Sequence, residues 1–117
     1  MADRIEAPTS PFGWRTMWLF AMFDLPTATP EDRRHYTRFR KDLLDDGFSM
    51  MQYSVYHRHC ASSENTEVHI ERLRRKLPPE GEVSFVVITD HQFSKIRTFW
   101  GKRRKPPAPQ PAQLEFF

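Results

Sequence analysis

The sequence predicts an α+β domain of the ferredoxin-like kind, an antiparallel sheet with two helices on one face. Two observations carry that expectation: apolar stretches of strand length alternate with longer stretches of helical period, and each helical stretch has its own start and stop residues. A third is size, since 117 residues with 38% hydrophobic content suit one core and leave little room for a second.

Met17 to Asp24 (MWLFAMFD) is an unbroken apolar run of strand length, which suits a central strand covered on both faces. Thr29 then offers a cap, Pro30 a first helical position, and Glu31 and Asp32 complement the positive helix start. The helix is expected to reach about Asp46, burying Tyr36, Phe39 and Leu43, and to end at Gly47. Arg34, Arg38 and Lys41 fall at i, i+4, i+7 as a basic stripe. Residues 47–59 alternate like a strand, with Met51, Tyr53 and Val55 facing one way and Gln52, Ser54 and Tyr56 the other. Ser62 and Ser63 offer caps for a second helix over about Glu64 to Leu77, with Ile70, Leu73 and Leu77 as its buried stripe before Pro78-Pro79. Val83 to Thr89 is a second doubly covered strand, and Lys95 to Trp100 a short peripheral one. The fold wants one more strand between the helices; a kink that splits residues 47–59 into two short strands supplies it.

The domain is expected over residues 14–101, after a polar N-terminal arm at 1–13 and before a tail at 102–117. That tail joins the basic block Lys102 to Lys105, a proline-rich linker and an apolar end, Leu114 to Phe117. The apolar end reads either as a segment that docks on a partner rather than on its own core or as a plain disordered extension.

Eighteen Lys+Arg against fifteen Asp+Glu give a formal charge of only +3, but the pI near 9.3 and the clustered arginines favour an anionic partner, nucleic acid first. The single cysteine, Cys60, rules out an intramolecular disulfide framework. No apolar run approaches the ~20 residues of a membrane span, and the opening residues lack a signal-peptide core, so a cytoplasmic protein with no membrane partner is expected. Four glycines scattered singly make no phosphate loop. The aromatics are read as core rather than as a base-stacking platform, because the Lys/Arg-Gly-Phe motif of RNA-recognition domains is absent.

Asp24 is the residue that invites chemistry. An acid closing so apolar a strand is either a turn residue leading into Leu25-Pro26 or a metal ligand. The basic stripe with Arg33 likewise reads either as a phosphate-binding surface or as a solvated helix face paired with Glu31, Asp42 and Asp45. In "HRHC", His57, His59 and Cys60 have no partner pair for a closed zinc site and are expected to be surface residues at a strand end.

The strand ending "FDLP", the basic helix ending in Gly-Phe, "MQYSVYHR" and the later "FVVITDHQF" together resemble the Cas-two family, the small protein of the CRISPR spacer-acquisition machinery. The resemblance covers about Met17 to Phe99. It implies a ferredoxin-like homodimer in which Asp24 and its symmetry mate share Mg²⁺ or Mn²⁺ and act in metal-dependent phosphodiester cleavage. It further implies a complex in which the dimer sits between copies of the integrase subunit and carries duplex DNA on a basic surface. Arg33, Arg34, Arg38 and Lys41 are the residues placed to contact nucleic acid, duplex DNA or RNA. A free-standing, toxin-like endoribonuclease is the alternative that the same fold allows, and a small-ligand regulatory module is the weakest reading.

Overall fold

The computed structural model describes residues 16–102, so the predicted arm and nearly all of the predicted tail lie outside the described residues. The elements are β1 (Met17–Asp24), α1 (Pro30–Asp45), β2 (Ser49–Gln52), β3 (Val55–Cys60), α2 (Ser63–Arg74), β4 (Glu82–Thr89) and α3 (Asp90–Ser94). The strands form one four-stranded sheet in the order β2-β3-β1-β4, every pairing antiparallel. Through β4 this is the expected ferredoxin-like order.

Alternation along β1 organises both layers. Leu19, Ala21 and Phe23 point to the helical side, where Phe39 and Leu43 of α1 and Leu73 of α2 meet them, with Leu25 just beyond the strand. Trp18, Phe20, Met22 and Asp24 point to the opposite face. That face has no helix layer, and Met22 and Val86 stand 39% and 37% exposed on it. The expectation that β1 and β4 are covered on both sides therefore fails within one chain. Only the Trp18 end is shielded: Phe93 of α3 stacks on the indole at 3.7 Å and 6°, and Trp18 Nε1 donates to Asp90 Oδ1 at 2.7 Å.

The local signals act as the sequence implies. Thr29 and Asp32 form a reciprocal capping box at the start of α1. At its end Gly47, at φ +94°, lets Gly47 N–H donate to Leu44 O and Phe48 N–H to Leu43 O, a Schellman closure. Residues 47–59 do split into two strands, joined by a turn at Tyr53-Ser54 and with a register shift between Met50 and Gln52; Tyr56 is fully buried while Tyr53, in the turn, is 74% exposed. Helix α2 stops at Arg74, three residues short of Leu77, which is exposed; Thr66 and His69 fill its buried stripe instead.

The strand expected over Lys95 to Trp100 does not form. Thr89 and Gln92 build a second capping box, which starts α3 directly after β4 and turns the chain away from the sheet. Ile96, Phe99 and Trp100 consequently lie exposed. The fourth strand comes from the split of 47–59.

One polar cluster ties the layers together. The Asp46 carboxylate, 6% exposed, accepts from His69 Nδ1 at 2.7 Å and from the Arg72 guanidinium, while Arg58 of β3 donates to the Asp46 carbonyl. It thereby joins the end of α1 to α2 and to the sheet. Removing this buried acid leaves the His69 ring and the Arg72 guanidinium without their acceptor. Asp46→Ala is expected to destabilise the fold by about 3 kcal/mol, lowering the thermal midpoint by roughly 10 °C or more, as measured by circular dichroism.

Candidate functional site

Asp24 closes β1 on the uncovered face. Its Cα pairs with Glu82 at the start of β4, so the two exposed side chains rise from the same side of the sheet. Gly81 makes this approach possible: at φ +99° it passes so close that a Cβ there would lie 2.8 Å from the Asp24 carbonyl oxygen and 2.7 Å from a Leu25 methyl. No residue larger than glycine fits without moving the Asp24-Leu25 backbone. Among the described residues, no side-chain hydrogen bond or ion pair holds the Asp24 carboxylate. The side chain is exposed.

The donor set suits a hard cation only in part. Mg²⁺ takes oxygen ligands and commonly one or two carboxylates, completed by water and phosphate, and Asp24 with Glu82 is a set of that kind. Among the described residues no cluster of three or more potential ligands occurs within the chain. Glu82 could not be found from the sequence, because nothing in 58 residues of separation betrays a cross-strand register.

The basic stripe lies on α1. Pro30, Arg33, Arg34, Thr37, Arg38 and Lys41 line one open hollow along the helix. Their engagements differ. Arg33 donates from one terminal nitrogen to the Thr27 and Ala28 carbonyls at 3.1 and 3.3 Å and so braces the loop after Asp24. Lys41 pairs with Asp45 at 2.8 Å, an exposed i, i+4 contact that raises the pKa of the ammonium through its hydrogen bond and contributes little to stability. Arg34 and Arg38 carry no ion pair to the described residues. The pairing expected of a solvated face is present at Lys41, and Arg34 and Arg38 stand exposed on the same surface.

His57 and His59 flank Trp18 on the uncovered sheet face, with ring centroids 5.4 and 5.1 Å from the indole and edge-on to it. They pack as aromatic rings, and Cys60 points into the core, where burial pushes its thiol pKa up. Beside the stripe, Tyr36 is half-buried and its hydroxyl donates to the Tyr53 carbonyl at 3.4 Å; burial chiefly pushes its pKa up to about 12.

Fold and site together define a ferredoxin-like protein with a strand-end carboxylate on an open sheet face and a basic first helix. Residues 17–96 match the family of CRISPR associated protein Cas2, and the chain belongs to that family. A "CRISPR-associated endoribonuclease Cas2" of Parvibaculum lavamentivorans is 59% identical over 86% of this chain and 100% of its own length. A protein of the same name from Flavobacterium psychrophilum is 47% identical over 89% of this chain and 90% of its own. A crystal structure of Cas2, 18% identical, superposes with a TM-score of 0.55 over 80% of this chain and 95% of that one, which extends the likeness to the fold. Among the described residues no helix is long and apolar enough to cross a membrane.

Tyr36 gives the site a pH signature. Unfolded, its hydroxyl ionises near 10.0; folded, near 12. Between those values the unfolded state binds fewer protons than the folded state, so the stabilisation present below pH 10 is lost as pH rises towards 12. Denaturant midpoints measured from pH 9 to 12 are expected to fall more steeply in the native chain than in Tyr36→Phe.

Proposed function

We propose that this chain is a homodimeric subunit of the CRISPR spacer-acquisition complex, which scaffolds the integrase subunit, binds duplex DNA on α1 and carries a metal-dependent endonuclease site at Asp24. The observation that carries the reading is the position of Asp24 on an uncovered, apolar sheet face. Met22 and Val86 stand exposed on that face without a helix layer, and burying such residues against a second copy is favourable. In a two-fold assembly the same patch meets itself, so an acid beside the axis is doubled.

Two copies of Asp24 and of Glu82 then supply carboxylates for Mg²⁺ or Mn²⁺ without any further residue. Held there, such an ion would supply activation of water and polarisation of a phosphodiester. The chain's own residues do the rest: Gly81 fixes the backbone behind Asp24, Arg33 braces the following loop, and Arg34 and Arg38 hold phosphates through paired guanidinium hydrogen bonds. These contacts are to backbone, so they set affinity and leave sequence unread.

A second reading is a free-standing endoribonuclease, favoured by the name its relatives carry. Asp24→Asn separates the two. It is expected to lower metal-dependent cleavage by at least ~100-fold, since weaker perturbations around a metal already cost 10- to 100-fold, while light scattering still reports a dimer and the integrase subunit still co-purifies. A dimer that integrates spacers normally with the variant supports the scaffold; a variant that loses its only measurable activity supports the ribonuclease.

The α1 surface is tested by salt. Each phosphate neutralised by a side chain releases counterions, so log affinity falls linearly with log salt. Arg34→Ala with Arg38→Ala is expected to reduce that slope for duplex DNA by roughly two, one per lost contact, in fluorescence anisotropy titrations between low and physiological salt.

A further inference from the structure

Thr37 is the one uncharged hydrogen-bonding side chain that lines the hollow on α1, and the helix itself does not call for it. Threonine is a middling helix former, and at an exposed position such as this Ala, Glu, Lys or Gln suits a helix better. The other threonines of the helices and their caps are engaged. Thr29 and Thr89 accept from the Asp32 and Gln92 N–H groups, and the Thr66 hydroxyl donates to the Ser63 carbonyl. A threonine inside a helix commonly turns its hydroxyl back onto the carbonyl one turn earlier. Among the described residues, no hydrogen-bond partner holds the Thr37 hydroxyl.

Its surroundings are cationic. Arg33 and Arg34 precede it by four and three residues, Lys41 follows by four and Arg38 is adjacent, so Thr37 lies within about a turn of every basic residue in the hollow. No carboxylate lines that hollow. Two of the four cations are already engaged, Arg33 with the Thr27 and Ala28 carbonyls and Lys41 with Asp45. Arg34 is exposed, and at a spacing of three residues it is the neighbour of Thr37 on the helix surface. An open guanidinium beside an open hydroxyl offers one anion both charge and a directed hydrogen bond.

We infer that the Thr37 hydroxyl donates to a backbone phosphate held by Arg34, and so sets the register of a nucleic-acid strand along α1. Guanidinium groups on long side chains draw in phosphates over a wide range of positions, whereas a short neutral donor reaches only an oxygen placed beside it. The inference rests on the reading of α1 as a phosphate-binding surface, and it adds a contact that does not depend on charge. The recognised chemistry is a phosphodiester oxygen.

A neutral donor releases no counterion, so its loss lowers affinity by the same factor at every salt concentration, while the loss of an arginine also changes the slope. The full-length chain is compared with Thr37→Val, which keeps the shape without the hydroxyl, and with Thr37→Ser, which keeps the hydroxyl. The probe is a short blunt DNA duplex, titrated by fluorescence anisotropy across a salt series. Thr37→Val is expected to weaken binding by roughly 2- to 10-fold, the worth of one hydrogen bond exchanged with water. Its salt line runs parallel to the native one, its thermal midpoint is unchanged because valine and threonine have similar helix propensity, and Thr37→Ser binds as the native chain does. Native affinity in Thr37→Val overturns the proposal. So does a flatter salt line in that variant, which makes the residue a prop for the arginines, or a Thr37→Ser as weak as Thr37→Val, which assigns the effect to the methyl group. The Arg34→Ala, Arg38→Ala variant is titrated alongside: an unchanged slope there removes the α1 surface and Thr37 with it, whereas a reduced slope there with native affinity in Thr37→Val overturns the Thr37 contact alone.

Discussion

Everything in this molecule depends on β1 serving two faces at once. An eight-residue strand, paired on both edges, sends Leu19, Ala21 and Phe23 into the helical core and Trp18, Phe20, Met22 and Asp24 to the other side. A shift of one residue would exchange the two sets, placing an acid in the core and the core residues in water. The position of Asp24 is therefore fixed by the same register that makes the fold stable. The close passage of Gly81 behind it adds a second constraint on the same backbone.

Much of this was legible in the sequence because the signals are local. Thr29-Pro30 and Asp32 start α1 where they should, Gly47 ends it, and Ser62 caps α2 through its hydroxyl. The split of residues 47–59 was legible only as a demand of topology, because the alternation runs on through Tyr53-Ser54 and neither the turn nor the register shift between Met50 and Gln52 leaves a mark in the residue pattern. The stretch from Lys95 misled for a related reason. Its composition suits a strand, but the capping box of Thr89 and Gln92, three residues apart and easily overlooked, redirects the chain before a strand can pair.

The candidate site divides along the same line. Asp24 stood out because an acid after seven mostly apolar residues is conspicuous, and the α1 stripe because helical spacing is periodic. Glu82 is invisible without the β1/β4 register. The unequal engagement of the basic residues, Arg33 bracing a loop and Lys41 answering Asp45, is likewise a matter of three-dimensional neighbours.

The stacked pair of Phe93 and Trp18 makes the open sheet face eccentric. One end already wears a fixed aromatic lid, hydrogen-bonded through Asp90, while the other end stays bare up to Met22 and Asp24. Whatever covers this face meets a fixed aromatic surface at the Trp18 end and an exposed methionine beside carboxylates at the other, so its two ends offer different chemistry to the same partner.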